Sequence, residues 1–92
     1  GEALAGKRAV VLFGPGQEAL AQEAAERLKA LGLSVSLREL ALAPGRTEVL
    51  ENGPGRLAQA LGEALGVPYR VSGEAALGAD LTLRLGREGL PR

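Results

Sequence analysis

The chain offers two kinds of chemistry: backbone donors at glycine turns and polar side chains on alternating strands. Gly14-Pro15-Gly16-Gln17-Glu18-Ala19 and Gly53-Pro54-Gly55-Arg56-Leu57-Ala58 each follow an apolar stretch and open a helical one. Both fit G-x-G-x-x-A, the pattern of a dinucleotide-binding turn. Glu39 follows the first by about 20 residues, where a ribose-binding acid would stand. Free N–H groups at a helix start attract anions, so Gly14, Gly16, Gly53, Gly55 and Arg56 are candidate anion positions. Their duplication argues for a plainer use. A tight strand-to-helix turn needs Gly for its unusual φ and Pro near the helix start. Neither turn carries the Lys-Ser/Thr of a phosphate-binding loop.

The second kind lies on Leu33–Leu40 (LSVSLREL) and Asp80–Leu85 (DLTLRL). Side chains on a strand alternate between faces, so Leu33, Val35 and Leu37 inward place Ser34, Ser36 and Arg38 outward. Leu81, Leu83 and Leu85 inward likewise place Thr82 and Arg84 outward. If both strands belong to one sheet, these five polar residues share a face. Such a face is either a solvated surface or a shallow polar platform for a glycan, a peptide or another domain.

Other chemistries lack their residues. His and Cys are absent, which removes the commonest general base, the commonest zinc ligands and any disulfide. Ser34, Ser36, Ser72, Thr47 and Thr82 therefore have no imidazole partner, and Lys7 and Lys29 sit in a tail and on an exposed helix face. The chain is expected not to be an enzyme and to use no metal or cofactor. Asp80, the only Asp, reads as a turn cap before its strand. Acidic and basic residues balance at eleven each, unlike the basic footprint of a nucleic-acid binder. Phe13 and Tyr69 are the only aromatics, so base-stacking platforms are missing too. No apolar run approaches the ~20 residues of a membrane helix, and no signal peptide is visible. Met is absent, so Gly1 is expected to be a processed or excised start within a longer parent. The excess of Arg over Lys, with abundant Glu, Leu, Ala and Gly, points to a GC-rich and thermophilic bacterial source.

The elements that must position these residues come in two similar halves. Residues 1–8 read as a linker or frayed start. Ala9–Phe13 is a continuous apolar strand, and Gln17–Leu31 a helix with Leu20, Ala24, Leu28 and Leu31 on one face. Gly32 stops that helix, and Leu33–Leu40 is the next strand. Thr47–Glu51, Arg56–Leu65 and Pro68–Ser72 repeat the order as strand, helix and short extended piece. Glu74–Ala79 is a loop, Asp80–Leu85 the last strand, and 87–92 a disordered tail. A single domain over 9–86 follows, since 92 residues suffice for one core. The expected fold is α+β, a two-layer β-α-β-β-α-β sandwich of the ferredoxin-like or SPOR-like kind. Its four-stranded, mainly antiparallel sheet, in order 4-1-3-2, carries both helices on one face. Val11, Leu20, Leu28, Val35, Leu37, Val49, Leu61, Leu65, Leu81 and Leu83 are its expected core.

A family resemblance emerges from these segments. Val10–Val35 carries V-x-L-x-G-x-G-x(3)-L-A followed by an Ala-rich helix and L-x-A-x-G-L-x-V. Thr47-Glu48-Val49-Leu50, Gly53–Leu65 and the closing Gly78-Ala79-Asp80-Leu81-Thr82-Leu83-Arg84-Leu85-Gly86 extend it. Together they resemble the C-terminal domain of the LytR–CpsA–Psr cell-envelope proteins. A SPOR-type peptidoglycan-binding domain shares the element order but fits the closing motif less well. Phe13 departs from the Asn often found there in the family; Asn52 holds the matching place in the second half. The resemblance implies a non-catalytic accessory module, outside the cytoplasm in a membrane-anchored parent, whose partner is cell-wall glycan or another envelope protein. A structural or oligomerisation domain, or a weak anion- or nucleotide-binding regulator, is the alternative.

Because the turns are isolated, calorimetric titration with NAD or ATP is expected to show no binding tighter than about 10⁻⁶ M; a submicromolar constant would restore the dinucleotide reading.

Overall fold

The computed structural model describes residues 3–92, and two helices and five strands are found there. In chain order they are β1 (Arg8–Phe13), α1 (Glu18–Ala30), β2 (Ser34–Glu39), β3 (Glu48–Glu51), α2 (Arg56–Leu65), β4 (Tyr69–Val71) and β5 (Leu81–Arg84). The α+β class matches the sequence reading, but the sheet differs. It is mixed, in order β2-β1-β5-β3-β4, and only the β3–β5 pair is antiparallel. The four-stranded, mainly antiparallel sheet in order 4-1-3-2 is therefore corrected. Tyr69–Val71 is a fifth strand, paired in parallel with β3. Each half closes on itself as a βαβ unit with adjacent parallel strands, and β5 enters between the units instead of splitting either one. Periodicity could not show this, because alternation sets the face of a strand and says nothing of its neighbour.

One apolar cluster joins both helices to the sheet. The row Val11–Leu83–Val49 runs across three strands in register. Ala21, Ala24 and Leu28 of α1 and Ala58, Leu61 and Leu65 of α2 pack in the same cluster, so both helices lie on that face. The right-handed crossover rule has the same consequence for two units that run in opposite directions toward opposite edges. The buried stripe of α1 is Ala21, Ala24, Ala25 and Leu28, with Leu20 only partly covered. Three alanines let the helix approach the sheet closely.

Leu37 is the clearest departure from the expected core: it is 36% exposed on the edge strand β2, and Val35 is only partly buried. An edge strand lacks the outer neighbour that would cover its inward side chains. The two ends of the chain also differ from expectation. Leu4 is buried in the core, and Gly6 N–H donates to Gly32 O at 2.9 Å, so residues 3–8 are docked and not a free linker. Gly1 and Glu2 lie outside the described residues. The segment after β5 is fastened rather than loose. Gly86 N–H donates to Thr47 Oγ1, the Thr47 hydroxyl to Gly89 O, and Thr47 N–H to the Glu88 carboxylate. Leu90 packs against the core.

Truncating Leu28 to Ala should cost about 2–5 kcal/mol, whereas Leu37→Ala should cost less than about 1 kcal/mol. Urea denaturation of both variants checks this, and equal losses would show that the buried and edge positions have been confused.

Candidate functional site

Strand register assembles the polar face. Two rows cross the side of the sheet opposite the helices: Ser36–Val10–Thr82–Leu50 and Arg38–Leu12–Arg84–Glu48. Ser34 lies at the end of the same face, beside Arg8. The structure thus brings Ser34, Ser36, Arg38, Thr82 and Arg84 to one side. It does not present them equally. Ser34 and Ser36 are exposed and line a shallow depression with Arg8, Gly78 and Ala79. Thr82 is fully buried: the β4–β5 connection folds over it, and its Oγ1 accepts Ala76 N–H at 2.8 Å. Its hydroxyl is a fastening, which corrects its place on the contact surface. Arg38 is exposed and, among the described residues, has no acidic partner.

Arg84 belongs to a cluster that strand patterning alone did not disclose. Glu48 is 3% exposed and receives three guanidinium groups. Arg70 approaches it with Nε at 3.0 Å and a terminal nitrogen at 3.3 Å, Arg46 at 3.2 Å and Arg84 at 3.4 Å. Glu74, from the β4–β5 connection, stands farther off, 3.6 Å from Arg70 and 4.0 Å from Arg84. The hydrogen bonds from Arg70 hold the Glu48 carboxyl below its ordinary 4.5, against the opposing effect of burial, with the charges of Arg70 and Arg46 assisting. A signal for Glu48 was present in TEVLE: Val49 inward puts Glu48 on the helix-free face. Only the β3–β5 register, however, sets it opposite Arg84. Arg46 lies in a loop and Arg70 in a strand too short for periodicity to reveal.

Each glycine turn has one backbone donor held by a side chain of the protein itself. At the first, Gly14 N–H donates to Gln17 Oε1 at 2.5 Å, and Gln17 Nε2 reaches Gly86 O at 3.0 Å, tying the turn to the end of β5. A side chain on Gly14 would collide with the backbone of Ala43, so close approach explains that glycine. At the second, Gly55 has φ 110°, a conformation that favours glycine. The buried Glu51 carboxylate accepts Ala58 N–H at 2.9 Å, so an internal anion already sits at the start of α2. Arg56 is exposed beside it. Since β1 and β3 run oppositely, the two turns lie at opposite ends of the sheet and cannot grip one ligand together. A Cβ on Gly16 would meet open space, whereas one on Gly53 would reach the Val71 side chain at 3.9 Å.

Among the described residues, no group of three or more acidic side chains is arranged to hold a metal ion, and no helix is long and apolar enough to cross a membrane. No protein-family model, curated protein or solved structure matches the chain.

The lowered pKa of Glu48 has a definite sign. Its interactions stabilise the fold above pH 4.5 and fade as pH falls through the lowered folded value. Glu88, held low mainly by the Thr47 backbone N–H, acts in the same direction. Glu48→Gln should therefore lower Tm at pH 7, a loss of about 1–3 kcal/mol of stability, and the gap from the parent should narrow as pH falls below 4.5 and the parent's own carboxyl protonates. Thermal melts across that range test this, and a gap independent of pH would show that the Glu48 charge contributes nothing.

Proposed function

We propose that this domain is a non-catalytic accessory module of a bacterial cell-envelope protein, as the LytR C-terminal resemblance implies. In this reading it lies outside the cytoplasm in a membrane-anchored parent and holds acidic cell-wall glycan on the exposed flank of its helix-free sheet face, since Val10, Leu12, Leu50 and Thr82 at the centre are buried. The observation that carries the reading is the row Arg38–Leu12–Arg84: two guanidinium groups on one face, two strands apart, one of them without an acidic partner among the described residues. Guanidinium groups pair with carboxylates through parallel N–H donors, and the exposed Ser34 and Ser36 hydroxyls complement sugar hydroxyls. Only Tyr69 and Phe13 are aromatic, and neither is on this face, so the stacking surface that strengthens many sugar sites is missing. Affinity is accordingly weak, on the order of 10⁻⁴ M or poorer per domain. Neither nucleic acid nor a cofactor enters this reading.

A second reading, a structural or docking domain, is favoured by β2. It is a six-residue edge strand with a free outer side and the exposed Leu37. Partner protein or parent domain would pair there. If the β2 edge pairs with a second copy instead, the mass of the protein in solution would double.

Purified peptidoglycan should co-sediment the parent domain but not the Arg38→Ala, Arg84→Ala double variant. Arg38→Ala alone, at a position without an ion pair among the described residues, should weaken retention without changing Tm. Equal sedimentation of parent and double variant would remove the glycan reading.

A further inference from the structure

The two carboxylates at the arginine cluster are held in different ways. Glu48 lies on β3, beneath the guanidinium groups, with four side-chain hydrogen bonds and almost no exposure. It is part of the fold. Glu74 is 73% exposed, and its carboxylate stands farther off, 3.6 Å from Arg70 and 4.0 Å from Arg84. Its backbone belongs to the β4–β5 connection, where Glu74 N–H donates to Ser72 Oγ and Ala76 N–H to Thr82 Oγ1. Leu77, 89% exposed, follows in the same connection.

Charge also distinguishes them. Three arginines surround Glu48, and one buried carboxylate does not neutralise three guanidinium groups. The nitrogens nearest Glu74, one terminal nitrogen each of Arg70 and Arg84, also bond Glu48, and each terminal NH₂ carries a second hydrogen for an outer carboxylate. A guanidinium fork matches a planar carboxylate, and the outer position is already visited by one.

We infer that Arg70 and Arg84 form a carboxylate-binding site with a permanent inner occupant, Glu48, and a displaceable outer one, Glu74, whose place a carboxylate of an acidic ligand takes. The inference rests on the proposed function for its biological ligand and on the cluster alone for its chemistry. It adds a mechanism of competition. The β4–β5 connection carries the protein's own stand-in for the ligand, so the site is partly self-blocked, and a ligand with two neighbouring carboxylates gains over one with a single group. Arg38, farther along the row, is placed to receive the second.

The test is a titration of the full chain, isotopically labelled for magnetic resonance, with acetyl-Glu-Glu-amide, its Gln-Gln counterpart and inorganic phosphate. The acidic dipeptide should shift the side-chain Nε–H signals of Arg70 and Arg84 and the backbone signals of residues 74–76; the neutral dipeptide should not. Exposed ion pairs are weak, so Glu74→Gln should tighten the acidic dipeptide by about two- to fivefold. Arg84→Lys, which leaves the Arg70 fork on Glu48 in place but removes one guanidinium from the outer position, should weaken it. Unchanged or weaker binding by Glu74→Gln, equal shifts with the Gln-Gln peptide, or equal binding of phosphate would each overturn the site. Peptidoglycan sedimentation of the Glu74→Gln variant separates this outcome from the functional reading. Dipeptide tightening without any glycan retention leaves the site standing and removes the glycan, whereas glycan retention that depends on Arg38 but not on Glu74 does the reverse.

Discussion

Each strand–helix–strand unit of this protein has only two strands and one helix, too little surface to bury a core alone. The backbone ladder that β5 makes to β1 on one side and to β3 on the other joins them. It is the one strand with both halves as neighbours. Leu81, Leu83 and Leu85 fill the space between the helices and the sheet, while Thr82 and Arg84 alternate onto the other face. Since β5 is parallel to β1 and antiparallel to β3, the halves are related by a pseudo-twofold, both helices fall on one side, and the two glycine turns point away from each other. The helix-free face, with its arginines, follows from the same pairing.

The buried polar groups show how this arrangement is closed. Gln17, Thr47, Glu51 and Thr82 each carry backbone hydrogen bonds that the ladder leaves over. Gln17 joins the first turn to the end of β5, Thr47 fastens the final segment, Glu51 completes the start of α2, and Thr82 holds down the β4–β5 connection. No buried side-chain nitrogen or oxygen lacks a partner among the described residues. These groups stabilise the fold because an unmet buried donor or acceptor costs about 1–3 kcal/mol. They are thereby withdrawn from ligand chemistry. What remains for recognition is exposed: Ser34, Ser36, Arg38, and the outer sides of Arg46, Arg70 and Arg84.

Glu48 sits between the two categories. It is buried like the structural polar groups, yet its partners are solvent-facing arginines. Its carboxylate gathers side chains from the loop before β3, from β4 and from β5. Like charges brought together in this way would repel without it. The arginine cluster is therefore organised from below by the fold, which separates a site from a chance crowding of surface charge.

Much of the local structure was legible in the residues. The run AVVLF marked an interior strand, the alternation of DLTLRL marked its two faces, and Leu28, Leu61 and Leu65 marked the inner sides of the helices because 3.6-residue spacing projects them together. The shared face of Ser34, Ser36, Arg38, Thr82 and Arg84 followed from alternation as well. Alternation assigns a side chain to a face, but hydrogen-bonding neighbours are set by backbone groups that are the same in every residue. That is why the insertion of β5 between the two units, the parallel pairing of Tyr69–Val71 and the exposure of Leu37 on an edge were decided only in three dimensions. The burial of Thr82 beneath Ala76, the docking of Leu4 and the convergence of Arg46, Arg70 and Arg84 on Glu48 were settled at the same level. Each depends on contacts between segments distant in the chain, whose relative placement comes from packing the whole core at once.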